Sequence, residues 1–152
     1  MIKKLSVLKR VGAILCLAAI PVVSNAQQGF GTLREGRHMF TVQWVFFETS
    51  SYGSAMIRRT SEPGVYTIKG DQRTPDERNF VVIDGTLSPT SPRELVFTGD
   101  IKTMASSVNG GQVCDRNGTY HFKASGSRKY WRLQEMLNCD NSTVDYVDIY
   151  FE

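Results

Sequence analysis

Two cysteines, Cys114 and Cys139, carry the most constrained chemistry in this chain. They lie 25 residues apart, which is not the spacing of a zinc knuckle. His38 and His121 are the two histidines, and neither has a partner at metal-binding spacing. No metal site is expected. In an oxidising compartment an even cysteine pair defaults to a disulfide. A loop of this length would gain roughly 3–4 kcal/mol from the constraint on the unfolded chain.

His121 alternates with Tyr120 and Phe122 and should point outward if those two point in, while His38 sits at a strand start. No Gly-x-Ser-x-Gly elbow accompanies either histidine. Cysteines joined to each other are poor nucleophiles. Gly29-Phe30-Gly31 is followed by Arg34 and Glu35 and does not make a phosphate loop. Asp145 and Asp148 are three apart on a strand, so they lie on opposite faces. Asp115 and Asp140 each neighbour a cysteine, and a paired-carboxylate site there is the remaining enzymatic option. The expectation is no catalytic set and no cofactor.

The C-terminal third is more distinctive. Trp131 and Leu133 share one face of a strand, with Tyr130, Arg132 and Gln134 on the other. In the last strand Val147, Ile149 and Phe151 face one way, and Tyr146, Asp148 and Tyr150 the other. Period-two alternation thus collects Tyr130, Arg132, Gln134, Tyr146, Asp148 and Tyr150 on one outward surface. Tyrosine and arginine are enriched at interfaces, so this is the candidate binding surface. Arg132 opposite Asp148 is also a natural cross-strand ion pair, which would make the patch ordinary sheet surface.

The elements that must position these residues begin after a leader. Lys3, Lys4, Lys9 and Arg10 form a basic head, residues 11–23 an uncharged apolar run, and Ser24-Asn25-Ala26 a cleavage-type ending. Residues 1–26 are expected to be a cleaved signal peptide, and the protein to be periplasmic or secreted. Thirteen apolar residues are short of the roughly 20 that span a bilayer, so no transmembrane anchor is expected. Leu15 before Cys16 does not suit lipidation. Four of the 18 basic residues leave with the leader, so 14 face 15 acidic ones. A near-neutral charge and export argue against nucleic acid, although aromatic and basic residues interleave near Trp131. Asn117 and Asn141 each head a glycosylation-type sequon.

Residues 27–36 read as a flexible lead and 37–152 as one domain. β-Branched and aromatic runs broken by Gly, Pro, Asn and Asp predict eight strands at 40–46, 55–59, 65–70, 79–87, 94–103, 119–124, 129–137 and 144–151. Residues 88–92 read as a turn. The in-phase apolar positions predict a core of Phe40, Val42, Trp44, Ile68, Val81, Ile83, Leu95, Phe97, Ile101, Tyr120, Phe122, Trp131, Leu133, Val147 and Ile149. Tyr66-x-Ile68-x-Gly70 recurs as Val81-x-Ile83-x-Gly85 and Leu95-x-Phe97-x-Gly99, with Phe122-x-Ala124-x-Gly126 a looser copy. Glycine at equivalent places in successive strands marks a bending wall, or else room for a ligand inside.

The predicted fold is therefore all-β: a single-domain antiparallel meander of about eight strands, a barrel or strongly curved sheet, with one disulfide. Its plan resembles the calycin group of exported eight-strand barrels in architecture alone. The glycine–tryptophan signature of lipocalins is missing, since Gln43 precedes Trp44. A shared architecture carries no function. The reading is an exported, non-enzymatic binding protein for a protein partner or a small amphipathic ligand. The alternatives are a structural, envelope-associated protein and an enzyme acting on an extracytoplasmic polymer through loop carboxylates.

Overall fold

Alternation of apolar and polar residues builds the wall, and closure removes its edges. Residues 33–152 are described by a computed structural model. Eight antiparallel strands form a closed barrel in chain order. They are β1 Gly36–Val42, β2 Gly53–Arg59, β3 Tyr66–Arg73, β4 Phe80–Ser91, β5 Glu94–Met104, β6 Cys114–Lys123, β7 Tyr130–Leu133 and β8 Val147–Tyr150. β8 closes on β1 through Phe40 opposite Ile149 and Val42 opposite Val147. The predicted disulfide joins Cys114 to Cys139.

The signal-peptide reading of residues 1–26 lies outside the described residues, as do residues 27–32 of the flexible lead. Leu33 is buried. Arg34 donates from Nε to the Phe151 carbonyl at 3.1 Å. His38 is fully buried, with its ring nitrogens 2.7 Å from the Tyr150 carbonyl oxygen and 2.9 Å from that of Arg34. Residues 33–36 are therefore fastened to β8, and Gly36 already opens β1. A loose lead does not describe them.

The strand expected over 40–46 ends early. The chain leaves the sheet at Val42 and turns into a short helix, α1, Gln43–Thr49. Val45, Phe46 and Phe47 read as apolar on both faces, which suits a helix laid across a barrel end. Val45 is buried and Phe47 is 74% exposed. Seven residues are too few for a 3.6 period to register in a window of 11 or more. Trp44 consequently sits half-buried on α1, not in the core proper. Ser50, at φ 52°, ends the helix with a left-handed residue.

Two other boundaries moved. β4 runs through the predicted turn at 88–92 as far as Ser91, with a register shift between Pro89 and Ser91. β7 and β8 are short, and residues 134–146 fold over the end of the barrel that α1 also covers, with a bridge between Leu137 and Val144 and the Cys114–Cys139 bond among their ties.

Side chains fill the interior. The expected core residues are buried except Trp44 and Tyr120, which are half-buried against the core, and Val45, Ala55, Ile57, Tyr66 and Leu87 join them. Gly85 lies opposite Gly99, and Gly99 opposite Gly118. This row across three strands replaces the looser copy at Gly126, which sits at φ +57° after β6 ends. A Cβ on Gly85 would stand 2.3 Å from the Thr98 carbonyl oxygen and 2.8 Å from Phe97 Cε2. The Phe97 ring thus occupies the space that the glycines leave. It packs edge-on against Phe122, with ring centres 6.2 Å apart. The glycines serve wall curvature and ring packing, and the room they create is taken.

Candidate functional site

The register of β7 and β8 builds the tyrosine–arginine face. Arg132 lies directly opposite Asp148, and Tyr130 opposite Tyr150. Trp131 and Ile149, one residue along, point into the barrel. Arg132 donates from Nε and Nη2 to the two Asp148 oxygens, each at 2.7 Å. The guanidinium is sandwiched between rings, 4.3 Å from the Tyr146 centroid and 5.1 Å from that of Tyr130. Tyrosines cover the pair so well that Asp148 is only 4% exposed. Burial pushes the Asp148 carboxyl up, against the pull of Arg132. The same hydrogen bonds hold the Arg132 guanidinium protonated.

Five of the six predicted residues meet here. Gln134 lies past the end of β7, exposed, with its Nε2 donating to the Arg132 carbonyl. It sits at the margin of the patch. Tyr146 precedes β8 but is fixed by α1, because its N–H donates to Gln43 Oε1 at 2.7 Å. Two further aromatics extend the row. Tyr52 packs on Tyr150 and Phe46 on Tyr52, at 5.1 Å and 4.9 Å. Burial and the Tyr52 hydroxyl push the Tyr150 phenol up from its usual value. No spacing rule could have placed Tyr52 here, since it arrives by the turn after α1.

A second cluster was not anticipated. Asp145 is fully buried under α1. Its Oδ1 accepts from Trp44 Nε1 at 2.9 Å. Its Oδ2 accepts from Thr103 Oγ1 at 2.7 Å, Asn138 Nδ2 at 2.8 Å and Arg116 Nη2 at 2.9 Å. Burial pulls the Arg116 guanidinium down, and Asp145 holds it up. Four donors saturate the carboxylate, so it locks helix, wall and end loop together, leaving little capacity for a further ligand.

Asp115 and Asp140, the proposed carboxylate pair, have different partners. Asp115 pairs with Lys102 at 2.9 Å. Asp140 accepts from the Ser142 and Thr143 amides and the Thr143 hydroxyl, which hold its carboxyl well below the usual range. Each is engaged in a separate local structure. Among the described residues no group of three or more His, Cys, Asp or Glu side chains is placed to hold a metal ion.

Glu135 has a structural task. β6 and β7 share only two paired rungs, Phe122–Leu133 and Lys123–Arg132. Beyond them the Glu135 carboxylate takes the place of a ladder acceptor, receiving the His121 amide at 2.8 Å, with the His121 ring nitrogen 2.7 Å away. Burial would raise this carboxyl, but the His121 amide and ring hold it below its ordinary value. Its contribution is therefore present above about pH 4.5, and is lost as pH falls through the depressed value. Acidification should open this seam first. Protection against hydrogen exchange at the His121 and Gln134 amides should be lost on acidification below the ordinary carboxylate range, ahead of the β4–β5 ladder. Synchronous loss along both ladders would rule out a local effect.

The family model described as PM1083 family matches residues 23–151. The chain belongs to the PM1083 family. A Pasteurella multocida (strain Pm70) protein, named uncharacterized protein PM1083, is 40% identical over 116 residues, spanning 76% of this chain and 72% of its own length. No solved structure matches. The matched span takes in all eight strands of the PM1083-family barrel, both disulfide cysteines and the whole tyrosine–arginine face.

Proposed function

We propose that this PM1083-family barrel is an exported, non-enzymatic binding module that holds a protein partner on the face made by β7, β8 and the turn after α1. The observation that carries the reading is a continuous aromatic row, built on a buried ion pair, that stays open to solvent. Tyr52 is 44% exposed and Tyr146 38% exposed. Phe47, on the adjoining helix, is more exposed still. Rigid aromatics with few rotatable bonds, pre-set by packing, suit the centre of an interface. The filled interior favours this outer face over a small molecule inside the barrel. Export is supported by the basic head and apolar run of residues 1–26 and by a disulfide of the kind oxidising compartments sustain. Among the described residues no helix is long and apolar enough to cross a membrane.

The structural, envelope-associated reading has one observation in its favour. Arg132 and Asp148 saturate each other, so that pair serves the fold whether or not a partner binds. Tyr52 and Tyr146 separate the two readings, because Tyr146 lies over the Arg132 guanidinium and Tyr52 packs on Tyr150 beside it, and neither bonds within the pair. Tyr52→Ser combined with Tyr146→Ser should reduce capture of the partner from an envelope extract by at least roughly tenfold, as loss of aromatic hot spots does. The thermal midpoint should move little. Undiminished capture, or a large loss of stability with capture intact, would sink the interface.

A further inference from the structure

A small amphipathic ligand cannot enter the packed interior, but the outer wall offers it a different place. An open groove of about 670 Å³ runs over β1–β4, lined by Arg37, Met56, Lys69, Asp71, Arg73 and Val82, with the short Ser54 side chain leaving its floor low. That volume falls in the roughly 300–1,000 Å³ range of small-ligand sites. We propose that this groove binds a single-chain amphipathic carboxylate, taken up as a monomer.

Charge and register argue for that occupant. Arg37 lies opposite Met56, and Met56 opposite Lys69, while Asp71 lies between Ser54 and Val82 on the next rung. A thioether is therefore flanked on both sides by cations. Three cations line the groove against one carboxylate, Asp71, which pairs with Arg73 Nε at 2.8 Å and so leaves Arg37 and Lys69 to face a ligand. Arg73 is fixed further by stacking on Phe80, 4.8 Å from the ring centre. Arg37 has no carboxylate within salt-bridge distance among the described residues. Lys69 pairs with Asp84, but both side chains are solvated, so that bond is weak and readily exchanged. The groove is thus complementary to an anion.

The apolar component points to a chain attached to that anion. Met56 and Met39 both face outward, 38% and 40% exposed, and Met39 lies opposite Ser54 at the groove floor. Methionine is flexible and polarisable, and it moulds itself to apolar partners of varied shape. A bare inorganic anion would have no use for Met56 and Val82. A neutral lipid would leave Arg37 without a counter-charge. An amphipathic carboxylate uses both.

Titration calorimetry on protein expressed from the full chain tests this with decanoate, decanol and acetate, all below micelle-forming concentrations. Decanoate should bind saturably, decanol at least roughly tenfold more weakly, and acetate without saturation. Arg37→Gln and Lys69→Gln should each weaken decanoate binding by about tenfold, and Met56→Ser by a similar factor. Amide shifts on adding decanoate should fall on β2 and β3. Circular dichroism of these surface variants should match the parent, which keeps a loss of binding from being a loss of fold. Equal affinity for decanol would overturn the anionic half of the proposal. Absence of decanoate binding, binding unaffected by Arg37→Gln, or binding to phosphatidylglycerol vesicles alone would each overturn the site.

Discussion

Asp145→Ala is expected to cost about 3–5 kcal/mol of stability, the cost of removing one partner from a buried ion pair. The carboxylate is fully buried and receives four donors from four segments: Trp44 on α1, Thr103 on β5, Arg116 on β6 and Asn138 in the end loop. Alanine removes every acceptor at once. The Arg116 side chain, 10% exposed, is then left as an uncompensated buried charge. For a domain of this size the thermal midpoint should fall by roughly 10–20 °C. Asp145→Asn separates charge from shape. It keeps the volume and one acceptor oxygen, so its loss should be smaller than that of alanine while remaining above about 1 kcal/mol. Urea melts of the three proteins give the comparison. A cost below about 1 kcal/mol for alanine would mean that water or a neighbouring acceptor replaces the carboxylate, and that the cluster does not hold α1 down.

The second large effect comes from the Cys114–Cys139 bond, which closes a separation of 25 residues. Replacing both cysteines by serine should cost about 3–4 kcal/mol, the loop entropy restored to the unfolded chain. The native state contributes as well. Cys139 adjoins Asn138, whose amide donates to Asp145, and the Cys139 N–H donates to Cys114 Sγ at 3.1 Å. Freeing Cys139 loosens one corner of the carboxylate cluster. The disulfide and Asp145 are therefore coupled. Combining the double-serine change with Asp145→Ala should cost less than the sum of the two, by more than roughly 0.5 kcal/mol, as residues in one network do. Strict additivity would show that the staple and the cluster act independently.

The face of β7 and β8 was readable in the sequence because period-two alternation is a local rule. Trp131 and Leu133 on one side dictate Tyr130 and Arg132 on the other, whatever the rest of the chain does. The Arg132–Asp148 pairing followed from complementary charges on neighbouring strands. Gln134 lay beyond the reach of that rule, because β7 ends at Leu133 and the alternation ends with it. Tyr52 and Phe46 could not be assigned to the face from spacing. They reach it through α1 and its left-handed exit at Ser50, so their position depends on how the helix lies across the barrel.

The all-β class, the strand count and most of the core follow from the sequence alone, since burying one face of a strand imposes a pattern that survives without tertiary knowledge. The cysteine pairing follows from number once Cys16 is assigned to the expected leader. Three other features belong to the tertiary structure. The stretch 43–49 is apolar in the manner of a strand, and it becomes a helix because closure of β1 on β8 leaves a barrel end to cover. Gly85, Gly99 and Gly118 form a row only when three strands align, and only then does the Phe97 ring settle over Gly85 and Gly99 and the Tyr120 ring beside Gly118. The sequence puts Asp145 on the face opposite Asp148 but names none of its partners. It is the most heavily bonded carboxylate among the described residues because Trp44, Thr103, Arg116 and Asn138, spread over 95 positions of chain, converge on it. Local pattern sets which face a residue takes; convergence of distant segments depends on closure, which no local pattern contains.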